Sequence, residues 1–124
     1  MEIKDYFENN KGFGVLSTAD ANGNVNSAVY ARPHVMEDGL LTFIMRNRQS
    51  YKNIRSNPHA TYLFREDGPG YKGVRLYLTK TREENDPDLI SSLSRRKYPS
   101  DQDAIESSFL VYFKLEETRP LIGG

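Results

Sequence analysis

No stretch of this chain sustains a helical apolar period beyond about two turns, whereas short runs with an apolar residue at every second position recur between turn signals. The clearest run sets Val74, Leu76 and Leu78 against Arg75, Tyr77 and Thr79, the pattern of a strand with one buried and one wetter face. Phe13–Ala19 and Val25–Ala31 flank Asn22-Gly23, a hairpin signal because a type I′ turn asks for positive φ at both central positions. Pro33 limits the second of these runs. Leu40–Met45 follows the turn Glu37-Asp38-Gly39, and His59–Arg65 precedes the long turn Glu66-Asp67-Gly68-Pro69-Gly70. The last run, Phe109–Leu115, is expected to point Phe109, Val111, Phe113 and Leu115 inward and Tyr112 and Lys114 outward. The tail Glu116–Gly124 is expected either to pack on a partner subunit or to fray.

Short helices are expected around these strands. Ile3, Tyr6 and Phe7 have helical spacing in Ile3–Asn9, and Asn10-Lys11-Gly12 ends that segment. In Arg48–Ser56, Tyr51 and Ile54 share a face, and Asn57-Pro58 stops the helix. Asp86-Pro87 is a good helix start, with Leu89, Ile90 and Leu93 as the apolar stripe and Arg95, Arg96 and Lys97 in the last turn before Pro99. Asp101–Ser107 reads as a further helix whose Asp101, Asp103 and Glu106 form a solvated acidic face. Short turns between antiparallel strands favour a barrel or sandwich, and the lack of alternating strands and long helices argues against a doubly wound fold. The expected class is mainly β with peripheral helices: a six-stranded antiparallel barrel in a single domain over residues 1–124.

Composition then excludes several kinds of function. Seventeen basic residues balance seventeen acidic ones, so the chain lacks the basic excess of a nucleic-acid or anionic-lipid binder. With no cysteine, disulfides, thiolate metal sites and Cys nucleophiles are out. The charged start Met1-Glu2-Ile3-Lys4-Asp5 and the absence of any apolar run near ~20 residues fit a soluble cytoplasmic protein, with no membrane partner. His34 and His59 sit in separate segments without carboxylates at ligand spacing, so no metal site is expected. No G-x-S-x-G elbow supports a Ser-His-acid triad, and no catalytic residue is assigned. Gly12-Phe13-Gly14 precedes a strand instead of linking strand to helix, so it reads as a turn and a close packing contact, not a phosphate loop.

The junction Met45-Arg46-Asn47-Arg48-Gln49-Ser50-Tyr51-Lys52 carries more chemistry. A strand ends there and a helix begins, so cations and a hydroxyl gather beside free helix N–H groups, an arrangement that suits a phosphate. A solvated helix start with ordinary surface basic residues explains the same composition.

Four stretches resemble the FMN-binding split-barrel superfamily, the group that contains pyridoxamine 5′-phosphate oxidase and small bacterial FMN-binding proteins. They are Gly14-Val15-Leu16-Ser17-Thr18 with Asn22-Gly23 and Asn26-Ser27-Ala28-Val29; Leu41-Thr42-Phe43-Ile44-Met45-Arg46; Ser50-Tyr51-Lys52-Asn53-Ile54-Arg55-Ser56-Asn57-Pro58; and Asp67-Gly68-Pro69-Gly70. The third is the most specific. The resemblance implies a split barrel whose homodimer holds FMN in a cleft between the subunits. It implies that Ser27, Ala28 and Val29 and then Ile44, Met45 and Arg46 border the cofactor, with Arg46, Ser50, Tyr51 and Lys52 toward its phosphate. The family often has lysine where Ser50 stands, so either Lys52 and Arg46 compensate or phosphate affinity is reduced. Pro69 and Gly70 either border the partner's flavin or simply form a tight turn.

The function so implied is a flavin redox protein that passes a hydride or electrons between a reduced nicotinamide and a small acceptor. Two other readings stay open: a non-catalytic FMN carrier or electron-transfer module, and a flavin-free dimeric barrel that binds another ligand. A true pyridoxamine phosphate oxidase is not expected, because its substrate-phosphate cluster of Arg, His and Ser has no counterpart near this C-terminus.

Overall fold

A computed structural model describes residues 2–94 and 107–123. The elements run α1 (Ile3–Asn9), β1 (Gly12–Ala19), β2 (Val25–Val29), β3 (His34–Val35), β4 (Leu41–Arg46), α2 (Gln49–Ser56), β5 (His59–Glu66), β6 (Gly73–Glu84), α3 (Pro87–Leu93) and β7 (Ser108–Pro120). All pairings are antiparallel, in one sheet of order β2-β1-β5-β6-β7-β4-β3. The mainly β architecture with peripheral helices is as expected. The seventh strand is the two-residue β3, too short to show a period in the sequence. The arginine-rich run after Ser94 and the acidic segment before Ser107 lie outside the described residues.

The sheet curls because its two longest strands are bulged. Register shifts between Tyr77 and Leu78 and between Lys80 and Arg82 bend β6 against β7, and bulges of this kind increase local twist. The strand order ends at β2 on one side and at the β3–β4 pair on the other, and α2 packs against β1, β2 and β4 across that opening. The barrel is split there.

Inside the barrel, Leu16, Phe43, Met45, Tyr62, Phe64, Leu76 and Phe113 form the main core. Phe7 of α1 closes one end, with edge-on ring contacts to Tyr62 and Phe64. Each such side chain contributes roughly 1.5–3 kcal/mol through burial. A second cluster lies outside the barrel wall, where Ile90, with Leu89 and Leu93, packs on Leu110, Tyr112 and Ile44. The helix start is as the sequence indicated: the Asp86 carboxylate accepts from the Leu89 N–H at 3.1 Å, with Pro87 next in line.

Three local expectations are corrected. Tyr112 does not face solvent; it is buried beneath α3, because β4 and β7 are covered on both faces and strict alternation of buried and wet positions is lost. The segment from Glu116 does not fray: β7 continues to Pro120, pairing Val74 with Pro120 and Arg75 with Arg119, and Arg75 donates to the Pro120 carbonyl at 2.9 Å. The Asn22-Gly23 hairpin is not a two-residue type I′ turn. Ala19 pairs with Val25, so the loop spans Asp20–Asn24, and only Gly23 has positive φ. The Asp20 carboxylate accepts from the backbone N–H groups of Asn22 and Asn24 and from the Asn24 side chain, which favours this wider loop and holds the carboxyl below its ordinary pKa.

Gly14 is one of the tight points of the wall. A Cβ there would lie 1.9 Å from the Tyr62 hydroxyl, which instead donates to the Tyr30 carbonyl at 3.0 Å. Tyr62 is fully buried and has nowhere to retreat. Gly14→Ala is therefore expected to destabilise the protein by about 1–3 kcal/mol, read from the urea unfolding midpoint.

Candidate functional site

The opening of the barrel between β2 and β4 forms a cleft of about 1010 Å³. Both walls are strands, so their side chains reach the cleft at every second position. On β2 and just beyond it, Asn26, Ala28 and Tyr30 line one wall; on β4, Thr42, Ile44 and Arg46 line the other. The two strands give the cleft two ends. At one, the α2 start brings Arg48, Gln49 and Ser50 beside Asn26 and Arg46; at the other, His34 pairs across the strands with Thr42, and Arg32 also belongs to the lining.

The α2 end is a fixed polar corner. Arg48 occupies the N-cap position without a capping side chain, so the first N–H groups of the helix have no intrahelical acceptor. Ser50 is 3 % exposed, and its hydroxyl accepts from the Asn26 amide at 3.4 Å. Tyr30 also bonds to Ser50. Burial pushes the Tyr30 phenol up in pKa, while that bond and the nearby Arg48 charge pull it back. Behind them Gln49 donates to Asn53 at 2.7 Å, and buried Asn53 donates to Thr18 at 3.1 Å, which fastens α2 to β1.

The structure brings five of the residues singled out from sequence into this cleft: Ala28, Val29, Ile44, Arg46 and Ser50. The others lie elsewhere. Ser27 points to the opposite face of β2, its hydroxyl 2.8 Å from that of Ser17. Met45 points into the barrel core. Lys52 is exposed on α2 outside the cleft lining, and Pro69 and Gly70 sit in the exposed β5–β6 turn. That turn is held by Arg65, which donates to the Gly70 carbonyl at 2.7 Å. Tyr51 lies on the inner side of α2, 2 % exposed and stacked on Phe109 at 4.3 Å. The cleft holds Arg48, which the sequence placed at the strand-to-helix junction, and adds Asn26, Tyr30, Arg32, His34, Thr42 and Gln49, which the sequence reading did not assign. Part of that set was open to inference: from Ala28 and Ile44, steps of two along each strand reach Asn26, Tyr30 and Thr42.

Tyr51 instead anchors the helix that carries Ser50. Its hydroxyl donates to the Glu83 carboxylate, which also accepts from Lys80 at 2.6 Å. Burial and then the Glu83 bond push Tyr51 from its ordinary pKa of 10.0 up to about 12. Burial also works to raise Glu83, but the bonds from Lys80 and Tyr51 outweigh it and hold that carboxyl below its usual value.

Among the described residues, no group of three or more His, Asp or Glu side chains could hold a metal ion, and no helix is long and apolar enough to cross a membrane. No protein-family model matches the sequence. No curated protein sequence matches it either. Solved structures do match in fold. An FMN-binding protein from Syntrophomonas wolfei is 17 % identical with a TM-score of 0.74, over 98 % of this chain and 84 % of that one. A candidate pyridoxamine 5′-phosphate oxidase from Lactobacillus delbrueckii is 21 % identical with a TM-score of 0.68, over 96 % and 92 %. The heme storage protein HutZ from Vibrio cholerae is 18 % identical with a TM-score of 0.73, over 96 % and 92 %. The fold is thus that of the pyridoxamine-phosphate-oxidase-like split barrels.

Tyr51→Phe is expected to cost on the order of 1–2 kcal/mol at neutral pH, by loss of a hydrogen bond to a charged acceptor. A phenol whose pKa is raised on folding adds stability that is complete below pH 10 and lost as pH rises toward about 12, so the variant also shows a shallower alkaline loss in urea titrations across that range.

Proposed function

We propose that this chain binds FMN in the cleft between β2 and β4 and serves as a flavin redox protein. In this reading it works as a cytoplasmic homodimer that passes a hydride or electrons between a reduced nicotinamide and a small acceptor. The observation that carries the reading is the charge of the cleft. Arg46 and Arg48 belong to its lining at the α2 end, beside the Ser50 hydroxyl, with Arg32 and His34 further along, although the chain as a whole is balanced in charge.

The donor set fits a phosphomonoester at the α2 end. Arg46 and Arg48 supply guanidinium forks, the first turn of α2 supplies backbone N–H groups, and Ser50 supplies a hydroxyl fixed by Asn26 and Tyr30. Ala28 and Ile44, a small and an apolar side chain on facing walls, suit the flat apolar body of a flavin. Bound there, FMN would supply the hydride and electron chemistry itself. The residues of the chain bind the phosphate and orient the cofactor.

A second subunit closing the cleft is supported by the outer face of the sheet. Val29 is 66 % exposed and Phe13 55 %, and both also line the cleft rim. Val15 pairs with Val29 on one side and Leu63 on the other, so this apolar strip runs across β2, β1 and β5. An exposed apolar strip of this kind is a candidate interaction surface.

One observation favours a flavin-free ligand-binding barrel instead: the Ser50 hydroxyl already has two protein partners where the resembling family often carries a lysine. Absorption spectroscopy after dialysis against added FMN decides between them. Retained bands near ~375 and ~450 nm at about one flavin per chain support the flavoprotein, and a colourless protein overturns it. Anaerobic addition of NADH or NADPH then bleaches the flavin of a redox enzyme and leaves that of a carrier oxidised. The Arg46→Ala, Ser50→Ala double variant is expected to lose on the order of 2–4 kcal/mol of FMN affinity, roughly 30- to 700-fold in Kd, and size-exclusion chromatography at micromolar concentration is expected to give a dimer.

A further inference from the structure

At the α2 end of the cleft, the neighbours of Ser50 decide what its hydroxyl can offer a ligand. A serine hydroxyl has one proton to donate and two lone pairs that accept. The Asn26 side-chain amide donates to Ser50 Oγ at 3.4 Å, which takes one lone pair. The Tyr30 phenol is the second partner of this buried hydroxyl. Once Ser50 gives its single proton to an incoming anion, the Tyr30 contact persists only with the phenol as donor. That takes the second lone pair, and Ser50 then faces the cleft as a donor alone.

Tyr30 is held in place by groups other than its phenol. Its backbone N–H donates to the Gly14 carbonyl at 3.0 Å, and its own carbonyl accepts from the Tyr62 hydroxyl at 3.0 Å. Its ring meets Phe43 edge-on, with centroids 5.9 Å apart. The charged groups of the lining at this end are Arg46 and Arg48, whose guanidiniums only donate and keep their charge at neutral and acid pH. A phosphomonoester dianion has no proton of its own to place among these donors. Its monoanion carries one P–OH, and Ser50 has no lone pair left to receive it.

We propose that Tyr30, acting through Ser50, makes the α2 end of the cleft selective for a fully deprotonated phosphoryl group, so that a phosphomonoester binds as its dianion and far more weakly as its monoanion. Tyr30 is a positioning residue here: it fixes which way the Ser50 hydroxyl points and what that hydroxyl can still accept. That a phosphoryl group sits at this end rests on the proposed function; the filling of the Ser50 lone pairs does not. The second ionisation of a phosphomonoester lies at about 6, so ligand uptake falls as pH drops through that value. The proton responsible is the ligand's. Arg46 and Arg48 do not titrate there, and burial keeps the Tyr30 phenol protonated by raising its pKa. Lys52 of α2 is exposed outside the lining, and His34 is the cross-strand partner of Thr42, about 13 Å along β4 from Arg46.

The test is a titration of flavin-free ¹⁵N-labelled protein with methyl phosphate and with sulfate, from about pH 5 to about pH 7.5, followed by the amide shifts of Gln49–Tyr51. Sulfate is a dianion throughout, so its affinity reports any titration of the protein itself, His34 included. In the parent, methyl phosphate affinity relative to sulfate is expected to fall roughly tenfold per pH unit below about 6. Tyr30→Phe frees one Ser50 lone pair for the P–OH of the monoanion, so the relative affinity at the acid end is expected to recover by roughly threefold or more and the slope to flatten. Asn26→Ala frees the other lone pair, is expected to flatten the slope as well, and serves where Tyr30→Phe does not fold. A loss of packing alone weakens both anions at every pH and leaves the slope as it was. That result, a parent ratio that does not change with pH, or no saturable shift at Gln49–Tyr51 would each overturn the proposal. The Kd of FMN is expected to follow the methyl phosphate profile, and that of riboflavin, which has no phosphate, to stay flat. A protein that takes up no FMN but shows the methyl phosphate slope and its flattening refutes the flavin reading alone. One that binds FMN with the same pH profile in the parent and in Tyr30→Phe refutes the selectivity alone.

Discussion

The barrel stays open between β2 and β4, and the packing of α2 into that opening is the contact on which the rest of the site depends. The helix is only eight residues long, below the length at which a helix is stable alone, so tertiary contacts must hold it. They do so from two sides. Asn53 reaches Thr18 on β1 through buried amide and hydroxyl groups, while Tyr51 reaches Glu83 on β6 and stacks on Phe109 of β7. With its inner face committed this way, the helix presents its first turn and Ser50 to the cleft in one orientation. A polar contact serves here better than an apolar one, because hydrogen bonds constrain direction as well as distance.

The same constraint explains how charge is distributed in a chain with as many acids as bases. Glu66, Glu83 and Glu84 are engaged by Tyr6, by Tyr51 with Lys80, and by Arg82, all away from the cleft. At the α2 end Arg46 and Arg48 lie in the cleft lining, and a concave surface with walls of low polarity strengthens the field those cations produce. Net charge therefore says little about the ligand, and local charge says much more.

Much of the architecture was legible along the chain. The alternation at Val74–Thr79, the Asp86-Pro87 helix start and the stop at Asn57-Pro58 are all statements about one residue and its near neighbours, which sequence records directly. What escaped depended on which elements lie against each other. Tyr112 has the local pattern of an outward residue, but α3 covers it. The pairing of Glu117 and Arg119 with β6 involves residues about forty positions apart, and nothing near the C-terminus announces it. At Asp20, a side chain captured the hairpin backbone and set a wider loop than Asn22-Gly23 alone implied.

For the cleft, the sequence by itself determined the kinds of group available: cations and a hydroxyl at a strand-to-helix junction, small and apolar residues on the strands, and no cysteine or metal cluster. The tertiary structure alone decided which of them meet. Contiguous triplets such as Ser27-Ala28-Val29 and Ile44-Met45-Arg46 cross the pleat, so one strand sends neighbouring side chains to opposite faces, and Met45 enters the core while Ile44 and Arg46 face the cleft. His34 and Thr42 come together only because β3 folds back on β4 at the edge of an unclosed barrel. A strand's own period can be read from its residues, but its neighbours are set by the closure of the whole sheet.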